Sequence, residues 1–119
     1  SKNLFKFKPM YEINSLSCLV IETLLNNPKE VNKHINMIDH SKNFLIKQLK
    51  KMNYEYINTS ANFFHINLKN KKKEFEKILK KNKILVRKGP GVKGYESFLR
   101  FSVGSTSQMK RIIKLLKSL

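Results

Sequence analysis

The C-terminal stretch, residues 97–119, constrains the fold most, because a strand pattern runs directly into a helix pattern. In SFLRFSV, one alternating set of residues is wholly apolar: Leu99, Phe101 and Val103. The other set comprises Phe98, Arg100 and Ser102. This alternation predicts a half-buried strand. Ser105 and Gln108 then have the spacing of a capping box. Apolar residues follow at helical spacing: Met109, Ile112, Ile113, Leu116 and Leu119. A sheet covered by a helix is therefore expected.

The remainder of the chain adds further helical and strand segments. Asn14 or Ser15 can cap a first helix, and Pro28 suits the first turn of a second helix of about 24 residues. YEYIN, ANFFHINL and KILVR read as strands, and KKEFEKILKKN reads as an amphipathic helix. Residues 1–12 are predicted to be irregular. The expected fold is α+β, in the order α-α-β-β-α-β-β-α, with helices covering one face of a small, mostly antiparallel sheet.

The strongly basic charge has two readings. The chain carries 25 Lys plus Arg against 8 Asp plus Glu, a net charge of +17. Such a balance suits a nucleic acid or another polyanion. The excess is almost all lysine, it is spread over every segment, and it accompanies abundant asparagine, as in NLKNKKK. That pattern also arises from compositional drift without any functional role.

Cysteine and histidine usage narrows the chemistry. The single cysteine, Cys18, fits a reducing cytoplasmic setting and is expected to be a small buried residue. No apolar run is long enough for a membrane span. His34 and His40 are too far apart in sequence to share a helix face in the usual manner of metal ligands, and His65 falls in a strand. We therefore predict no metal site, no membrane association and no catalytic residue in this stretch.

The arginines are the most informative charged residues. Three of the 25 basic residues are arginines: Arg87, Arg100 and Arg111. The first two directly follow apolar runs, in ILVR and FLR. Arginine grips a carboxylate or phosphate at two points, whereas lysine offers a mobile point charge. Arg87 and Arg100 therefore predict an anion clamp. The alternative is that both are ordinary surface charges at strand ends.

The ordered set SANFFHINL, ILVRKGPG and FLRFSVGSTSQMKRIIKLL resembles the C-terminal domain of class I/II pyridoxal-phosphate-dependent aminotransferases. It is most similar to the histidinol-phosphate aminotransferase group. KPMYEINSLSCLVIETLL is similar to the segment that leads from the large domain of that family into the small one. The resemblance implies that Arg100 binds the substrate α-carboxylate. It also implies that Arg87 helps to bind the substrate, including a phosphate tail, and that Asn62 and Asn14 lie near the active site.

The same resemblance implies what this stretch lacks. The family binds pyridoxal phosphate in its large domain through a lysine in a Ser-x-x-Lys setting, and none of the 22 lysines (25 minus three arginines) has that setting. We therefore expect a fragment: residues 1–27 lead from a missing large domain, and residues 28–119 form the small C-terminal domain. Alone it should bind no cofactor and be inactive, although the full-length parent would be a homodimer that binds pyridoxal phosphate and an amino-acid or amino-phosphate substrate.

Two functions remain in competition. The first is the substrate-clamping small domain of an aminotransferase, with no specific nucleic-acid partner. The second is a free-standing basic α+β module that binds RNA or another polyanion. The first needs arginines at strand ends facing one cleft, and the second needs a lysine face with exposed aromatic residues on the sheet.

Overall fold

The computed structural model describes residues 13–89 and 91–119. The predicted irregular segment 1–12, with Phe5, Phe7 and Tyr11, lies outside this part. The chain divides into two compact units, the first ending at His34 and the second spanning Ile35–Leu119. No helix in the described part is both long and apolar enough to cross a membrane.

The first unit contains helix α1, Ser15–Leu25, and the beginning of α2. Asn14 is the N-cap of α1, and its side-chain Oδ1 accepts a hydrogen bond of 2.8 Å from the backbone N–H of Ser17. No residue of α1 is buried in the part of the chain that the structure describes. The expectation of a buried Cys18 was therefore wrong, since Cys18 is exposed. Periodicity identifies an apolar helix face but not what covers it.

Helix α2 spans Pro28–Lys51 and has the predicted 24 residues. Within the second unit it buries Ser41, Lys42, Leu45 and Leu49. The ammonium group of Lys42 donates to the backbone carbonyls of Thr59 and Ala61, the latter at 2.8 Å. A buried charge needs such partners, so this lysine fixes the connection between the first two strands against α2.

Four antiparallel strands form one sheet in the order β1-β2-β4-β3. Their bounds are β1 Tyr56–Asn58, β2 Phe63–Asn67, β3 Arg87–Lys88 and β4 Phe98–Ser102. Helix α3, Lys72–Lys81, lies in sequence between β2 and β3, and α4, Thr106–Lys117, follows β4. The predicted α+β class and the order α-α-β-β-α-β-β-α are confirmed.

One face of the sheet packs on the helices. Phe64 and Phe101 stack across β2 and β4 with ring centroids 5.4 Å apart. The core then extends into the helices through Leu45, Leu49, Phe75, Leu79, Met109, Ile112, Ile113 and Leu116. The predicted capping box at Ser105 and Gln108 is present at the start of α4. Because side chains alternate along a strand, the opposite face of the sheet carries Phe63, His65, Phe98 and Arg100.

The segment before Arg87 differs from the sequence-based expectation. A strand was expected over residues 83–87, but β3 contains only Arg87–Lys88. Lys83 has a left-handed φ of 57°, and the N–H of Ile84 donates to the carbonyl of Leu79 at 2.9 Å. These residues therefore terminate α3, as in common helix C-terminal motifs. Leu85, which was expected in the strand, is 93% exposed.

Candidate substrate site

A row of paired residues crosses the sheet at Arg100. Arg87 on β3 is the direct pairing partner of Arg100 on β4, and His65 on β2 is the partner of Arg100 on its other side. Directly paired residues of antiparallel strands project their side chains from the same face. The sheet therefore places the two arginines, which residues 88–99 separate in sequence, next to each other.

Arg100 lies against an aromatic ring. Its guanidinium carbon Cζ is 4.9 Å from the centroid of the Phe63 ring, within the distance at which a cation is attracted to a ring face. Arg100 is half-buried, whereas Arg87 is exposed. The two guanidinium groups therefore differ in freedom: one is held against the sheet and the other extends into solvent.

His65 is the buried member of the row. It is only 7% exposed, and its ring lies edge-on to Phe63 with centroids 5.7 Å apart. Its Nδ1 atom is buried without a hydrogen-bond partner among the described residues. Burial, and secondly the positive charge of Arg100, lowers the pKa of His65 below its ordinary value. His65 is therefore neutral near pH 7, so it adds no third positive charge to the row.

A cavity of about 320 Å³ adjoins the arginines. Its walls are Ile84, Leu85, Val86, Arg87, Arg100, Phe101, Ser102 and Ile112. The residues that line it include two arginines and one serine among apolar residues, with no Asp or Glu. Such a lining suits a small molecule that carries at least one carboxylate or phosphate group.

The two predicted asparagines lie elsewhere on the chain. Asn62 directly precedes β2, is exposed, and accepts a backbone hydrogen bond of 2.8 Å from Val103. It is therefore held at the end of the strand pair that also carries Arg100. Asn14 lies in the first unit, where its side chain caps α1. The structure thus brings Arg87 and Arg100 together and gives Asn14 a local structural role.

Two further residues of this site received no role from the sequence. Phe63 was assigned to a strand, and His65 was considered only as a metal ligand. Among the described residues, no group of three or more potential ligands is placed for a metal ion. The available signal was the spacing of Phe63 and His65 at i and i+2, which puts both on one sheet face. Their proximity to Arg100 depends on the pairing of β2 with β4, which the local sequence does not specify.

The arginine cavity lacks the groups that hold pyridoxal phosphate, which the sequence resemblance places in a large domain. A pyridoxal-phosphate site requires a lysine amine and a carboxylate facing the ring nitrogen, and neither lines this cavity. The buried Lys42 is engaged by two backbone carbonyls. The described residues around the arginines can therefore bind an anionic substrate group but do not form a cofactor site.

Comparison with known proteins agrees with this architecture. Over 119 residues the chain is 25% identical to a histidinol-phosphate aminotransferase of Moorella thermoacetica, covering 99% of this chain and 30% of that protein. It is 28% identical to a histidinol-phosphate aminotransferase of Clostridium novyi, covering 98% of this chain and 32% of that protein. The chain thus spans about a third of the length of these curated relatives.

Solved structures share the fold. A putative aminotransferase from Burkholderia pseudomallei matches with a TM-score of 0.76 at 18% identity, over 98% of this chain and 36% of that one. The histidinol-phosphate aminotransferase from Clostridium acetobutylicum matches with a TM-score of 0.72 at 21% identity, over 93% and 34%. The family model described as aminotransferase class I and II matches residues 4–116. This chain therefore belongs to the class I and II aminotransferase family.

Proposed function

We propose that this chain is the substrate-clamping part of a pyridoxal-phosphate-dependent aminotransferase, which transfers an amino group between an amino acid and a 2-oxo acid. The carrying observation is the direct pairing of Arg87 with Arg100 beside a cavity without acidic residues. Two adjacent guanidinium groups favour a substrate with a carboxylate or phosphate. The relatives named as histidinol-phosphate aminotransferases make a histidinol-phosphate-like compound one candidate substrate.

In this proposal the two arginines have different tasks. Arg100 is half-buried with its Cζ over the Phe63 ring, and this restricted position suits two-point binding of the α-carboxylate. Arg87 is exposed on the edge strand, so its reach suits a distal anionic group such as a phosphate. Asn62 supports the same substrate site from the start of β2, whereas Asn14, in the first unit, caps α1.

The proposal includes the rest of the protein. Residues 1–27 lead from a large cofactor-binding domain, and residues 28–119 form the small domain. The whole protein is a cytoplasmic homodimer that binds pyridoxal phosphate in the large domain. The 119-residue chain alone is inactive, which a transamination assay of that chain with added cofactor checks directly; turnover would contradict it.

Replacement of Arg100 in the whole protein tests the proposal. Arg100→Lys keeps the charge but loses the two-point grip, so we expect kcat/KM for an amino-acid donor to fall roughly ten- to a hundredfold, the loss that follows from one charge-assisted hydrogen bond. The thermal midpoint should stay close to that of the wild type, because most of the aliphatic stem remains.

Two further variants serve as comparisons for Arg100→Lys. Lys73→Ala removes an exposed charge from KNKKK and should leave kcat/KM unchanged. Arg87→Lys should raise KM more for a phosphate-bearing donor than for one without phosphate. Wild-type kcat/KM in Arg100→Lys would remove Arg100 from the site, and a loss only in step with a lower midpoint would make it a structural residue.

The polyanion-binding module stays an untested alternative without a favouring structural observation. That function requires exposed aromatic residues on the sheet. On the face that carries Arg100, Phe98 is buried at 3% exposure and Phe63 is half-buried beneath the guanidinium group.

A further inference from the structure

We propose that Phe63 is a positioning residue that fixes the orientation of the Arg100 guanidinium group and thereby sets how tightly the substrate carboxylate is held; this inference rests on the function proposed for Arg100. The sequence alone does not predict this role, because Phe63 is one of several aromatic residues in the predicted strands.

The contact geometry is the first support. The Arg100 Cζ lies 4.9 Å from the centroid of the Phe63 ring. Within the described part of the chain, the one ion pair is that between Lys33 and Glu30, so no acidic side chain there holds Arg100. A ring that supports the guanidinium plane leaves its edge N–H groups available for a carboxylate, whereas a protein carboxylate would occupy them.

The placement of Phe63 is the second support. Phe63 pairs with Ser102 and His65 pairs with Arg100, so Phe63 and Arg100 are diagonal neighbours on adjacent strands. The His65 ring meets the Phe63 ring at 88°, edge to face. His65 is itself buried. The ring is therefore held both by its strand and by a buried neighbour, which makes it a fixed support for the longer arginine side chain.

Fluorinated phenylalanines at position 63 of the whole protein test the inference. Successive fluorine substitution weakens the attraction of the ring for a cation while largely preserving its shape. We expect KM for an amino-acid donor to rise stepwise, by roughly 2- to 30-fold in total, the range that corresponds to cation–π contacts. The thermal midpoint should remain nearly constant along the series. If Phe63 served only in packing, KM would remain constant as well.

Substitutions provide the controls. Phe63→Leu should reproduce the rise in KM, and Phe63→Tyr should restore it. In an Arg100→Lys background, Phe63→Leu should add less than about a twofold further loss, because the planar guanidinium group that the ring orients has already been removed. Phe98→Leu removes a buried aromatic residue from the same sheet face, one that contacts Tyr95, and should lower the midpoint without the matching rise in KM.

The outcomes separate the two levels of the proposal. A flat KM across the fluorinated series, with Arg100→Lys impaired, would overturn the role of Phe63 and leave the proposed function intact. Equal KM effects of Phe63→Leu and Phe98→Leu would also overturn it. Wild-type activity in Arg100→Lys would overturn the proposed function and this inference with it. If Phe63→Leu fails to fold, the fluorinated series decides.

Discussion

At the scale of single residues, Arg100 differs from the other cations because its surroundings restrict it. It is half-buried, its Cζ lies over the Phe63 ring, and its strand partners are Arg87 and His65. Most of the net charge of +17 comes instead from lysines, whose flexible stems give no fixed geometry. A restricted guanidinium group can select a planar anion, whereas the surrounding lysines contribute only a general positive field.

His65 provides a prediction about pH. Its pKa is lowered in the folded protein, first by burial and then by the charge of Arg100. The unfolded chain therefore binds the proton more readily than the folded one, so stability is fully present above about pH 6.5 and is lost as pH falls through the lower folded pKa. Arg100 is the charged group that faces His65 from β4, and Ile57 is its uncharged partner on β1.

Thermal unfolding between about pH 7 and pH 5 checks this prediction. The midpoint of the wild type should fall on acidification, and His65→Leu should remove a part of that fall, because the folded-state pKa of His65 is lowered. His40→Gln, which changes an exposed histidine, should behave as the wild type does. If the midpoint of His65→Leu falls on acidification as much as that of the wild type, protonation of His65 does not contribute to the loss of stability, which would contradict the prediction.

Only some residues of the candidate site could be predicted from the sequence. The scarcity of arginine was enough to single out Arg87 and Arg100, and the sheet register then placed them side by side. Phe63 and His65 could not be connected with Arg100, because that contact requires the antiparallel register of β2 with β4. The alternation of apolar and polar residues within one strand predicts which sheet face each side chain lies on, but not which residue it meets on the adjacent strand.

At the scale of elements, one buried lysine fixes the connection that leads into β2. Lys42 on α2 donates to the carbonyls of Thr59 and Ala61, directly before Asn62 and Phe63. A lysine at 8% exposure is stable only with such partners. No local pattern distinguishes Lys42 from the other lysines, because its role depends on a backbone turn from a different part of the chain.

Lys42→Met should therefore destabilise the protein. Loss of the charge-assisted hydrogen bonds leaves two carbonyls without this donor, so we expect the free energy of unfolding to fall by about 1.5–3 kcal/mol. Denaturant unfolding measures this change. The matched control is Lys47→Met on the same helix, where the lysine is exposed and little change is expected. Equal effects of both substitutions would contradict a specific role for Lys42.

The boundaries of helices and strands could be predicted where the apolar pattern was long. The prediction was wrong where the pattern was short. The length of α2 and the capping box of α4 followed from periodicity and cap residues. The strand expected at 83–87 was reduced to Arg87–Lys88, because the residues after α3 are used to terminate the helix. A cap and a short strand compete for the same residues, and the local sequence does not decide between them.

At the scale of the whole molecule, the chain matches about a third of the length of its curated relatives. The family model matches residues 4–116, while the curated relatives are about three times as long. The expected boundary between residues 27 and 28 stays a proposal, and the exposed apolar residues of α1 belong to the segment proposed to lead from the large domain. The proposed activity therefore requires groups that this chain does not contain, with the arginines supplying substrate binding.

The most direct test of this account is the structure of the whole protein with a bound amino-acid substrate analogue. We predict that the Arg100 guanidinium group donates two hydrogen bonds of about 2.7–2.9 Å to the analogue's carboxylate while its Cζ stays over the Phe63 ring. Arg87 should lie towards the distal end of the analogue. A carboxylate bound by other groups, with Arg100 directed away from it, would contradict the central claim.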